Sequence, residues 1–359
     1  MRLLMLPRYG PLGASSRLRM YQYLPALQAA GMRVDVVPLL DDGYVRDLYA
    51  DRRDAGAVAR GYWRRLRAVR GREGYDAIWL EKEAWPWLPD GLERALMPGG
   101  PALAVDYDDA VFHRYDRHRS ALVRRLLGRK LDRLMRRADL VTAGNDYLAA
   151  RARDAGCRRV EWLPTVVDLA RYPPPSPPAA HAPAVVGWIG SPSTAGYLHA
   201  VSAALAPLQA EGLVRCVAVG ARADQLAGTP FEARPWREDA EVEALRGFDI
   251  GIMPLPDGPW ERGKCGYKLI QYMACGVPVV ASPVGANLGI VAAGEHGWFA
   301  ETPAQWAQAV RSLAADPDLR ARMGAAGRRR VEAVYGLQAQ ATRAIGMLRE
   351  LGGPRACAD

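Results

Sequence analysis

The chain has 359 residues and a formal charge of +9; half of it is hydrophobic and 24% is charged. Those proportions exclude wholesale disorder and leave room for roughly two domains of about 150 residues each. A chain this long buries enough surface to fold without a disulfide scaffold. Its five cysteines, Cys157, Cys216, Cys265, Cys275 and Cys357, lack zinc-type spacing, which points to reduced thiols in cytoplasm. The opening MRLLMLPRYG is too short an apolar run for a signal peptide, and no stretch reads as a membrane span.

The positive excess is uneven. Residues 1–180 hold 31 Lys/Arg against 22 Asp/Glu, whereas residues 181–359 hold 17 of each. An acidic partner is therefore expected to meet the first half. Only four of the 48 basic residues are lysine: Lys82, Lys130, Lys264 and Lys268.

In chain order, residues 2–7 and 33–38 read as short apolar strands. The stretch SSRLRMYQYLPALQAAG between them reads as one helix ended by Gly31. Strand, glycine-bearing loop, helix and strand make a unit of a parallel sheet. Further strands are expected at 77–80, 102–105 and 140–142, before the proline-rich YPPPSPPAAHAP (172–183), whose stiff, extended character suits an interdomain linker. The alternation then restarts, with strands expected at 184–189, 214–219, 250–253 and 279–281. Two open α/β domains joined by a linker follow, with ligands outside the carboxyl ends of the strands.

The stretch FDIGIMPLPDGPWERGKCGYKLIQYMACGVPVVASPVGAN (248–287) resembles the donor-binding core of retaining glycosyltransferases with the GT-B fold, of the family-four (group 1) type. LPTVVDLARYPP (163–174), RRADLVTAGNDYLAARARDAG (136–156), GEHGWFAETPAQWAQAVRSLAADPDLRARMGAAGRRRV (294–331) and the loop GPLGASSRLR (10–19) are similar to other segments of that family. The resemblance implies two Rossmann-like parallel-sheet domains facing a central cleft, with the last helix (337–351) returning to the N-terminal domain. Residues 1–172, with 336–359, would bind the acceptor; 173–183 would link; and 184–335 would bind a nucleotide-sugar. It implies no metal and no cofactor beyond that donor. Three departures stand out. Gly263 and Gln271 occupy positions where the family usually carries two glutamates, with Glu261 two residues out of register. The usual Arg and Lys are missing from GWIGSPSTAGYL (187–198), and Asp106 replaces a familiar His.

For the donor, the candidates are Gly190, Ser191, Ser193, Trp236, Lys264, Gly266, Tyr267, Lys268 and Gln271, with Trp236 lying where the resemblance implies the nucleotide base. The chemistry agrees: a helix starting near Tyr267 presents free N–H groups to a diphosphate, and the two ammonium groups stabilise its developing charge. Lys264, in the loop proper, is preferred over Lys268; solvated surface lysines are the bland alternative. Ser191 and Ser193 suit phosphate oxygens or plain helix capping. Trp236 offers a face to the base or fills a core, and Gln271 reaches ribose hydroxyls or sits idle on a helix.

Asp106, Asp108 and Asp109 end an expected strand, where mutual repulsion needs compensation. Asp-x-Asp also suits a hard cation, but the preferred reading puts Asp106, then Asp109, against the reacting sugar or acceptor hydroxyl. His113 is either a proton-relay partner or a bystander. Gly10, Gly13, Arg17 and Arg19 fall to the acceptor side. The segment Arg117–Arg137 carries nine Lys/Arg and one acid, with Leu and Met at helical spacing. It reads as a helix lying on an anionic membrane, or as a core helix with a solvated basic face; nucleic acid is disfavoured for want of interleaved aromatics.

The expectation is a retaining glycosyltransferase, cytoplasmic or peripheral on the inner membrane face, transferring sugar to a hydroxyl acceptor such as a lipid-linked glycan. Its rivals are a sugar-nucleotide epimerase, a non-catalytic sugar-nucleotide-binding protein, and a basic membrane module with a vestigial cleft.

Overall fold

The computed structural model describes residues 1–50, 52, 54–174 and 183–353. Most of the proline-rich segment expected to link the domains (175–182) and Cys357 lie outside the described residues. The chain divides into two compact units. The first comprises Met1–Thr165, the short segment Gly263–Cys265 and the chain from Leu337 onward; the second comprises Val166–Arg262 and Gly266–Gly336.

The first unit is built on β1 (Arg2–Leu6), β2 (Arg33–Val36), β3 (Ala77–Glu81), β4 (Ala102–Tyr107), β5 (Leu140–Ala143) and β6 (Val160–Trp162). These pair in parallel in the order β2-β1-β3-β4-β5-β6. β3, β4 and β5 are buried along their whole length, as expected of parallel strands covered on both faces. The second unit holds β7 (Ala184–Ile189), β8 (Val214–Val219), β9 (Phe231–Arg234), β10 (Ile250–Met253), β11 (Val279–Ala281) and β12 (Gly297–Phe299). Their order is β12-β11-β10-β7-β8-β9, again all parallel. Its core joins Val186, Trp188, Leu205, Ile252, Trp306 and Val310.

Four expectations change. Strands β6, β9 and β12 escape a search for apolar runs because each is three or four residues long and edges its sheet or, in β9, alternates charge with apolar residues. The expected first helix is broken into Ala14–Arg19, a 3-10 turn Tyr21–Tyr23 and Leu24–Ala29; Pro25 lacks the N–H that would continue it. The unit boundary falls at Thr165/Val166, before the proline-rich segment. Val166–Tyr172 is claimed by the second unit through Val167 N–H to Tyr335 O (3.0 Å) and Arg328 to Tyr172 O (2.6 Å). The last helix, Leu337–Gly352, belongs to the first unit, where Arg349 donates to Ala30 O at 2.7 Å.

The basic segment is the fourth. It forms two helices, Ala121–Leu127 and Lys130–Arg137, parted at Gly128. Leu131, Leu134 and Met135 are buried, whereas Leu122 and Leu126 are exposed. Lys130 is itself buried, with Nζ 2.7 Å from Glu83 and 3.0 Å from Glu93. Breaking a buried ion pair by deleting one partner typically costs about 3–5 kcal/mol. Lys130→Ala should therefore destabilise by about that much in urea denaturation followed by tryptophan fluorescence, while Arg125→Ala on the exposed face should change stability by less than about 0.5 kcal/mol.

Candidate functional site

In the second unit the chain leaves β7 toward β8 and β9, then returns to add β10 on the other side of β7. That reversal makes the carboxyl ends of β7 and β10 the expected ligand position. Gly190 follows β7 directly, and its N–H donates to Val219 O at 3.0 Å. Lys268, on the helix Tyr267–Ala274, places Nζ 4.2 Å from the centre of the Trp188 ring and 3.3 Å from Thr194 Oγ1. A Cβ at position 190 would lie 2.6 Å from that ammonium, so glycine is what lets the cation cross the loop. The Ser191 and Ser193 hydroxyls stand 2.8 Å apart on the same loop. Gly266, at φ +65°, begins the helix in the left-handed conformation, and a Cβ there would press on Ile290 Cδ1 at 2.2 Å. The ammonium over an aromatic face is held by attraction to the ring quadrupole.

Trp236 is no core residue: it is 40% exposed, and its indole N–H donates to Glu241 at 2.9 Å. Gln271 corrects the ribose expectation. It is buried at 3% exposure, and its amide N–H group is spent on Glu241 (2.9 Å) and the Tyr172 hydroxyl (3.0 Å). Glu241, overlooked in the sequence, collects Trp236 and Gln271 together. Burial drives the Tyr172 phenol far above its usual value, with Tyr267 and Glu241 adding to the effect.

In the first unit the reversal lies between β1 and β3. Here Asp106 and Arg19 are corrected together. Both are fully buried, with Arg19 Nε and Nη2 on the two Asp106 oxygens at 2.9 and 2.6 Å and Thr142 Oγ1 adding a bond of 2.6 Å. Neither has a group left for a sugar; the pair is structural. His113 is also committed, with Nδ1 2.8 Å from Asp116 and Nε2 2.9 Å from the Tyr147 hydroxyl. Gly10 and Gly13 shape the turn before Ala14–Arg19, joined by Gly13 N–H to Gly10 O at 3.0 Å, and Arg17 reaches Pro11 O at 3.4 Å.

The residues gathered at this reversal are others. Lys82 follows β3 at φ +64°, a strained conformation for a side chain of this kind. Its Nζ lies 2.8 Å from both Asp108 Oδ1 and Ser15 Oγ. Ser15 in turn stands 2.5 Å from Asp108 Oδ2 and 3.0 Å from Glu81. With Asp106 held by Arg19 and Asp108 by Lys82, the Asp-x-Asp spacing leaves no open pair of metal ligands. The Asp108 carboxyl sits below its ordinary range, because Lys82 and Arg19 outweigh its burial. Asp109, half-buried, is pushed up to about 6 by burial and by the Asp108 charge, with Lys264 opposing. Lys264 belongs with this group: Asn145, which caps the helix Asp146–Asp154, donates to Lys264 O at 2.9 Å, and Cys265 Sγ lies 3.0 Å from Asp108 O. The two lysines expected on one phosphate loop are thus divided, Lys264 with the first unit and Lys268 with the second.

Residues 183–316 match the family model described as glycosyl transferases group 1. No curated protein matches the chain. Among solved structures, sucrose-phosphate synthase from Thermosynechococcus elongatus is 17% identical over 98% of this chain and 99% of that one, with a TM-score of 0.72. HepE from Anabaena, in complex with UDP-glucose, is 17% identical over 98% and 100%, with a TM-score of 0.71. A glycosyltransferase from Rickettsia africae is 11% identical over 98% of both chains at 0.66. The fold is GT-B. Within the matched residues, the Gly190–Thr194 loop and Lys268 lie together at the carboxyl end of β7, and Trp236 is 40% exposed.

Asp109 allows a test of the first-unit site. Its folded pKa of about 6 exceeds the ordinary 3.8, so between those values the folded state holds more protons and stability falls as pH rises. Asp109→Asn should therefore be more stable than wild type at pH 7, by roughly 1–3 kcal/mol, with the difference vanishing near pH 4. Thermal unfolding across that range checks it; a destabilised variant at pH 7 would contradict the assignment.

Proposed function

We propose that the protein transfers a sugar from a nucleotide-sugar to a hydroxyl acceptor with retention of anomeric configuration. The observation that carries this reading is the Lys268 ammonium held over Trp188 beside the Gly190 loop, at the strand ends where the second sheet reverses. In this reading Gly190, Ser191, Ser193 and Lys268 take the donor diphosphate, and Trp236 stacks on the base. As the bond from the anomeric carbon to the diphosphate breaks, its electron pair leaves on the phosphate oxygen, where Lys268 stabilises the charge. The acceptor oxygen bonds to the same face of that carbon, and its proton passes to the departing phosphate oxygen, so the step balances without a further base. Lys264 tunes Asp109 rather than binding phosphate. Because HepE is described with UDP-glucose, a uridine diphosphate sugar is the first donor to try.

Calorimetric titration with a panel of nucleoside diphosphates tests the donor site. One base should bind, and Lys268→Ala should weaken it about tenfold or more, equivalent to about 1.4 kcal/mol. Failure of every nucleoside diphosphate to bind would remove the transferase reading.

We also propose a lipid-linked acceptor, reached from an anionic membrane. Leu122 and Leu126, 64% and 54% exposed, lie one turn apart on a helix that also carries Arg124 and Arg125. That combination suits a membrane interface, where each basic residue contributes about 1 kcal/mol. The protein should sediment with phosphatidylglycerol vesicles and not with phosphatidylcholine vesicles, and Leu122→Asp/Leu126→Asp should remain in the supernatant. Unchanged sedimentation of that variant would refute the contact.

A further inference from the structure

We infer that the first unit carries a second anion site, for a phosphomonoester or diphosphate group, at the end of its sheet opposite Lys82 and Asp109. A cavity of about 1130 Å³ opens there, lined by Arg72, Arg94, Arg133, Arg136 and Arg137. Its floor is Ile78 and Leu103, each the second residue of its strand, which puts it at the amino ends of β3 and β4. Five arginines line it, and only two carboxylates, Asp90 and Asp139, share the lining.

Two carboxylates cannot cancel the charge of five guanidinium groups. Asp139 Oδ2 accepts from Leu103 N–H at 2.8 Å. Asp90 serves Arg133 and Arg137 only at 3.8 and 3.9 Å, while Arg137 also reaches Glu93 at 3.1 Å. Arg72 is held by backbone carbonyls instead, donating to Val69 O at 2.8 Å and Gly99 O at 3.0 Å. Arg136 donates Nε to Ala155 O at 3.0 Å. A carbonyl fixes a guanidinium without cancelling its charge, so these cations are oriented in advance of any ligand. Gly100 permits the arrangement, since a Cβ there would meet Arg72 Nε at 2.8 Å. Arginine forks match phosphate oxygens in pairs, and the excess of positive lining selects a group with two or more negative charges.

Inorganic pyrophosphate is the probe, titrated calorimetrically into the full chain carrying Lys264→Ala/Lys268→Ala so that the donor loop does not contribute. Binding should persist in that background and fall about tenfold or more on adding Arg94→Gln/Arg136→Gln, both exposed positions. Arg94→Lys/Arg136→Lys should recover part of the loss. Arg124→Gln/Arg125→Gln, an equal change of charge elsewhere, should leave binding unaltered. No binding in the lysine background, or equal losses from both glutamine pairs, would overturn the site. Vesicles of phosphatidylcholine with and without phosphatidic acid identify the source. Loss of phosphatidic-acid-dependent binding alongside pyrophosphate binding assigns a lipid headgroup; loss of pyrophosphate binding alone assigns a free phosphorylated molecule.

Discussion

Taking an ion out of water costs several kcal/mol unless an opposite charge and hydrogen bonds replace what water supplied. The first unit does this repeatedly: Arg19, Glu81, Lys82, Glu83, Glu93, Asp106 and Lys130 are all no more than 5% exposed. The requirement that each find a partner dictates how the loops beyond the strands are laid out. Arg19 ties the first helix to β4, Lys82 ties β3 to the loop after β4, and Lys130 ties the second basic helix to Glu83 beyond β3. Asp109 owes its high pKa to this arrangement, since the neighbouring Asp108 remains charged against Lys82.

The second unit is organised differently. Its core is apolar around Trp188, Leu205 and Trp306, and at the sheet reversal the Lys268 ammonium lies 4.2 Å from the centre of the Trp188 ring. Trp188 and Thr194 fix the ammonium, while Glu241 holds Trp236 and Gln271. The two units therefore hold charge differently on related sheets: the first pairs buried ions with one another, and the second sets an ammonium on an aromatic face.

Much of this was legible in residue order. Strands such as β7, AVVGWI, are continuous apolar runs, and the helix after Gly266 begins at the expected Tyr267. The short and edge strands were not legible, because Glu161, Glu232 and Arg234 interrupt any hydrophobic run. Nor could the order of residues show that Asp106 is consumed by Arg19, 87 positions away, or that Lys82 adopts a left-handed backbone. A usable signal was nonetheless present in composition. Lysine is rare in this chain, and its four occurrences all fall at structured positions: Lys82 and Lys130 in buried ion pairs, Lys264 beside Asp109, and Lys268 on Trp188. A compact ammonium fits where a planar guanidinium would not. Applied to two lysines, that reasoning singled out Lys264 and Lys268; applied to all four, it would have singled out Lys82 as well.

The first unit is assembled from chain segments that are far apart in synthesis. Its sheet is complete by Trp162, yet the helix Leu337–Gly352 that joins it, through Arg343 to Glu161 and Arg349 to Ala30, is made only after the whole second unit. On a ribosome the first sheet must wait, with the surface that this helix covers still bare, while the second unit is translated and becomes free to fold. At about 5–20 residues per second that interval lasts on the order of ten seconds or more. During it the nascent first unit presents a ready surface to chaperones, and the final helix acts as the closing piece that ends the exposure.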